Sequence, residues 1–161
     1  MKKQKALTVS VLDQYIKDVL SGAIPSGIHL RNAINRFTSD RASLKWKYDE
    51  KAINKVITFI SKLKHFTGKH NGKHFELEPW QVFIIANLYG FYNWDGPRRF
   101  QTCYLEMARK QGKTALVAAL SLYSLIDDDE AAAEVLLAAN SKDQTKIAFN
   151  LVHGFAHGWD P

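Results

Sequence analysis

Cysteine is nearly absent from this 161-residue chain, which has only Cys103. A single thiol excludes an internal disulfide framework and fits a reducing, cytoplasmic setting. Cys103 lies in an aromatic, alternating stretch and is expected as a buried strand residue. Long apolar runs are missing too. No segment approaches the roughly 20 apolar residues that a membrane-spanning helix needs. The Met1-Lys-Lys-Gln-Lys5 start is basic, but no apolar run follows it, so it does not read as a secretory signal. There is no internal repeat, no low-complexity tract, no nucleophile elbow and no Cys/His pair at motif spacing.

What is present is the composition of an ordinary folded chain, with 46% hydrophobic and 24% charged residues. The length suits one globular domain with a real core, or part of a larger one. The net charge of +6 is unevenly spread: residues 1–73 carry +10 and residues 74–161 carry −4. A basic front half can attract nucleic acid through counterion release. It can equally be a set of lysine-bearing, solvated helix faces, because no basic cluster in it is dense.

Apolar spacing predicts a helix over 8–21, capped by Thr8 or Ser10 and stopped at Gly22. Residues 23–27 are turn-rich, and a second helix is expected over 28–42. Trp46, Tyr48 and Asp49 form a link, with Asp49 as cap of a third helix at 50–64. That helix sets Ile53, Val56, Ile57, Ile60 and Leu63 at core-facing spacing. Asn71-Gly72 signals a tight turn. Pro79 suits the start of a helix running to about Tyr92. Residues 100–106 and 134–139 read as strands, each followed by a helix, at 113–125 and 142–153. The expected fold is therefore α/β. A basic helical region, 1–73, precedes 74–161, the start of a parallel sheet in the order strand, loop, helix, strand, helix.

Residues 107–114, Met-Ala-Arg-Lys-Gln-Gly-Lys-Thr, lie between the first predicted strand and its helix. Gly-Lys-Thr in that context is the back half of a phosphate-binding loop, although Met107 stands where the full pattern has glycine. The chemistry explains the residue types. A helix start offers unpaired N–H donors and the positive end of a dipole. Gly112 lets the backbone approach phosphate oxygens. Lys113 supplies a charge for the β and γ phosphates, and Thr114 a hydroxyl for Mg²⁺. The bland alternative is an ordinary strand-to-helix turn.

Taken with their surroundings, these residues resemble the large terminase subunits of tailed bacteriophages, the ATP-driven DNA-packaging motors. Leu77-Glu-Pro-Trp-Gln81 is similar to the family's adenine-contacting segment. Tyr89-Gly-Phe91 and Gly96-Pro-Arg-Arg99 match the lead-in to the first strand. Ala108-Arg-Lys-Gln-Gly-Lys-Thr114 resembles the family's variant loop, which lacks the first glycine and carries a basic residue before Gly-Lys-Ser/Thr. Ala138-Ala-Asn-Ser141 followed by Gln144 resembles its second-strand motif. Tyr15–Gly22 and Arg36-Phe37 resemble its helical start.

The resemblance implies ATP and Mg²⁺ as cofactors. Lys113 would hold the β/γ phosphates and Thr114 the metal, with Ala108, Lys110, Gln111 and Gly112 completing the loop. Arg109 is implied as the catalytic residue that stabilises γ-phosphate charge, and Lys110 competes for that role. Gln81 would read the adenine edge with Trp80 packing nearby, although an aromatic there also suits a core. Asn140 and Ser141, at the C-terminal end of the second predicted strand, sit where open α/β sheets collect ligands, with a helix cap as the bland alternative. Double-stranded DNA, a portal protein and a small terminase subunit are implied as partners of the complete protein. A ring homo-oligomer and the cytoplasm of a bacterial host are implied as well.

Such motors also need an acidic pair after a later strand and a nuclease domain with clustered acids. Nothing after residue 139 supplies either, and Asp160 has no strand before it. The acids 127–130 are expected to end the helix that starts at Lys113. The chain thus reads as the front part of a motor, by itself inactive. Rival readings are a fragment of a helicase-type P-loop ATPase, a non-hydrolysing nucleotide- or DNA-binding module, and a basic helical DNA-binding unit in residues 1–73. His153 and His157 are four apart, but Gly154 and Gly158 weaken a helix there and no Glu follows His153, so a metal site is not expected. His65, His70 and His74 have no cysteine partner and read as surface histidines.

Overall fold

The structure is a computed structural model that describes residues 2–158, with side chains described from residue 10; Asp160 lies outside them. Its elements are α1 (Lys2–Ser21), α2 (Ile28–Ala42), β1 (Lys47–Tyr48), α3 (Glu50–Lys62), α4 (Pro79–Gly90), β2 (Phe91–Tyr92), α5 (Lys113–Ile126) and α6 (Lys142–His157). The chain forms two compact units. One comprises residues 1–57 and 78–104; the other comprises 58–77 and 105–161. No described helix is long and apolar enough to cross a membrane.

In the first unit, α1 packs on α2 and α4. Leu12, Tyr15, Ile16 and Val19 lie at helical spacing on α1 and are buried. They meet an aromatic cluster centred on Phe37, whose ring lies 5.4 Å from Phe83, 5.3 Å from Phe91 and 6.1 Å from Tyr48. Helix α1 begins before Thr8 and Ser10 because residues 2–7 are themselves good helix formers, so neither caps it. Asp49 does cap α3, as its Oδ1 accepts the N–H groups of Lys51 at 2.8 Å and Ala52 at 3.2 Å.

A two-stranded antiparallel ladder pairs Lys47 with Tyr92 and Tyr48 with Phe91. It cuts α4 short at Gly90, where the sequence pattern runs on to Tyr92. Arg99 closes this unit. It is ion-paired to Asp40, and its guanidinium lies 4.2 Å from the Trp46 ring and 4.6 Å from the Phe100 ring.

In the second unit α5 and α6 pack against each other. Phe155 is fully buried among Phe66, Phe75 and His65. The chain between Leu63 and Phe75 turns back on itself. Lys64 bridges His74, and His65 N–H donates to Lys73 C=O at 2.9 Å. Gly72, at φ +79, supplies the reversal that the Asn71-Gly72 pair signals.

The predicted parallel sheet is not formed among the described residues. Residues 101–108 and 133–139 belong to no β-ladder. Exposure nonetheless alternates along 132–138 and 104–108 with the two-residue period of a pleat. Tyr104 is 86% exposed and Leu136 83%. Parallel strands are stable only with neighbours and with helices on both faces, and two strands alone are marginal. Cys103, expected as a buried strand residue, is accordingly exposed.

Candidate functional site

The loop 108–114 lies wholly in the second unit. The chain turns at Arg109-Lys110, bends at Gln111-Gly112 and enters α5 at Lys113. Lys110 has φ +65, a left-handed conformation that few non-glycine residues adopt. Gly112 follows at φ +77, where it is the N-cap of α5. Left-handed residues of this kind recur in turns whose backbone N–H groups bind anions.

The first intrahelical bond of α5 runs from Leu116 N–H to Gly112 C=O at 3.0 Å. The N–H groups of Lys113, Thr114 and Ala115 therefore precede the hydrogen-bonded part of the helix. Gly112 has no side chain to cap them. The start of α6 differs: Ser141 Oγ accepts Gln144 N–H at 3.3 Å. One helix start is thus closed by its own sequence, and the other is left open to an external acceptor. Ala115 belongs to the open set only through its backbone, so its side chain gave no signal in the sequence.

Side-chain placement agrees with a solvent-facing anion site. Ala108, Arg109, Lys110, Gln111, Gly112 and Thr114 are exposed, and Lys113 is half-buried. Leu116, Ala119, Leu122 and Tyr123 bury one face of α5. Tyr123 meets Phe59 edge-on at 5.4 Å. The core seam fixes the helix while its N-terminus faces solvent. The fourteen residues of α5 are enough for an aligned dipole. At its other end, α5 stops at Ile126 with Asp127 as C-cap, so the acids 127–130 follow a helix and not a strand.

Trp80 and Gln81 occupy the first turn of α4, in the first unit. Trp80 is half-buried, whereas Gln81 is only 3% exposed. Gln81 Oε1 accepts the N–H of Glu78 at 2.9 Å, one half of a capping box. Pro79 borders a cavity of about 410 Å³ that also touches Gln14, Tyr15 and Asp18. His70 and His74 are exposed, but His65 is half-buried and stacks on Phe75 at 5.0 Å. Burial, and then the neighbouring His70, push the His65 imidazole below its ordinary pKa. Among the described residues no group of three or more His, Cys, Asp or Glu is placed to hold a metal.

Residues 79–156 match the family model described as terminase large subunit, ATPase domain. The chain is also similar to the terminase large subunit of Enterobacteria phage HK97, with 32% identity over 99 residues. That match covers 60% of this chain and 19% of the phage protein, so the chain spans about a fifth of the length of the curated relative it matches. No solved structure matches the chain.

Proposed function

We propose, from the premise that this chain belongs to the terminase large subunits and carries their ATPase-domain sequence at residues 79–156, that loop 108–114 is the phosphate-binding loop of an ATP-dependent DNA-packaging motor. One observation carries the reading. Left-handed Gly112 leads directly into Lys113-Thr114 at an α5 start that no side chain caps. The uncapped N–H groups suit phosphate oxygens, and Lys113 suits the charge between β and γ phosphates. Thr114 is the residue that would hold Mg²⁺, which would neutralise phosphate charge. Arg109 and Lys110 form the turn that precedes this helix start. Of the two, Arg109 is assigned to the γ-phosphate, because guanidinium engages phosphate bidentately.

Residues 77–81 are assigned to the adenine. The stretches 100–106 and 134–139 are assigned as strands of a parallel sheet that further strands complete. The alternating exposure of 104–108 and of 132–138 supports this. Within this division residues 1–73 are a basic helical region and 74–161 the first part of the ATPase domain. Duplex DNA, a portal, a small terminase subunit and a ring of subunits in the host cytoplasm belong to the whole motor.

An acidic pair following a strand is not found among the described residues, so this segment is assigned nucleotide binding without cleavage. A phosphate-release assay on residues 1–161 with ATP and Mg²⁺ tests that assignment. Binding with no release above the uncatalysed background is expected. Turnover at an ordinary enzymatic rate would overturn it and place a water-activating acid within this segment.

A further inference from the structure

His153 and His157 lie one turn apart on α6, with their Nε2 atoms 3.1 Å from each other. The ring centroids are 4.3 Å apart. Both side chains are exposed, and neither belongs to the loop at 108–114. The weakening expected from Gly154 does not end the helix, since α6 continues to His157. Its glycine has a packing reason. A Cβ at Gly154 would overlap the Phe66 ring, so α6 seats its backbone directly against that ring. Phe155, next along the chain, is fully buried. This seam fixes the rotation of α6 and holds His153 and His157 on the opposite, solvent-facing stripe. Phe149, a turn earlier on the same stripe, stacks on His153 at 6.3 Å and restricts that ring.

We propose that His153 and His157 form a two-imidazole chelate for a divalent transition ion, Cu²⁺ foremost, that closes the last turn of α6. The spacing fits. Two nitrogens each about 2.05 Å from one ion stand roughly 2.9 Å apart at a right angle and roughly 3.3 Å apart at a tetrahedral angle. The observed 3.1 Å lies between these limits. Imidazole is a good ligand for Cu²⁺, Ni²⁺ and Zn²⁺, and at a given site Cu²⁺ binds most tightly of these. With no ion bound, one ring donates its Nε2 proton to the other, which requires opposite tautomers. On metal binding the donating ring loses its Nε2 proton to solvent and takes one up at Nδ1, so that each neutral imidazole offers the ion an Nε2 lone pair. Water fills its remaining positions, since among the described residues no third protein ligand is placed there.

Titration of the full 161-residue chain with Cu²⁺, followed by electron paramagnetic resonance, tests the proposal. The expected spectrum shows two coordinated imidazole nitrogens in the starting protein and one in either His153→Gln or His157→Gln. Affinity should fall at least roughly tenfold in each, which corresponds to about 1.4 kcal/mol. Both side chains are exposed, so neither substitution disturbs the core; circular dichroism verifies that each variant is folded. His29→Gln, on α2, should leave spectrum and affinity unchanged. An unaltered spectrum in both α6 variants would overturn the proposal, as would loss of the signal in His29→Gln.

Discussion

The side-chain oxygen of Gln81 accepts the backbone N–H of Glu78 at 2.9 Å. The residue that sequence resemblance assigns to an adenine edge is therefore also the reciprocal half of the capping box that starts α4. Both roles can coexist, because a carboxamide has an oxygen acceptor and two N–H donors. Gln81→Ala removes the cap and leaves space in a buried position, so unfolding free energy should fall by about 1–2 kcal/mol. Denaturant titration of the variant checks this. Gln81→Glu retains the acceptor oxygen and should recover part of the loss.

Gly154 and Phe66 are coupled by contact. Gly154→Ala gains helix propensity of about 1 kcal/mol. The new methyl overlaps the Phe66 ring, and overpacking of this kind costs about 1–3 kcal/mol. Net destabilisation is expected. In a Phe66→Ala background the same change should become stabilising. A double-mutant cycle by denaturant titration reads the sign reversal.

His65 gives the second unit a dependence on acid. Its folded pKa lies below its ordinary value, so the unfolded chain binds more protons as pH falls. The contribution of this group is fully present above about pH 6.5, the unfolded value. It declines as pH drops through that value toward the lower folded pKa. Thermal melts at pH 7.5 and 5.5 should show a drop in Tm that His65→Gln reduces. An equal drop in the variant would assign the effect to other groups.

Much of the helical framework was legible from local chemistry alone. Helix α2 occupies 28–42 as the pattern predicts, Asp49 caps α3, and Ser141 caps α6, because each depends on neighbours within one turn of chain. The ladder of Tyr48 with Phe91 was not legible, since its strands are two residues long and 43 positions apart in sequence. The expected strands at 100–106 and 134–139 show why a strand is a less local property than a helix. Residues 100–106 alternate in sequence, 134–139 form an apolar run, and exposure alternates along 104–108 and 132–138, but a ladder needs partners that the described residues do not provide. In the candidate site, the position of Gly112, Lys113 and Thr114 at the start of a helix could be read directly. The left-handed Lys110 and the backbone contribution of Ala115 could not, because both are properties of dihedral angles and not of side chains.

Calorimetric titration of the chain and of Lys113→Ala with ATP and Mg²⁺ is the most direct measurement of the central assignment. Lys113 is half-buried at the first position of α5, and alanine is a good helix former there, so the variant should retain its fold. Saturable binding by the starting chain and its abolition in Lys113→Ala are expected. Undiminished affinity in the folded variant would contradict the assignment of loop 108–114 to nucleotide phosphates.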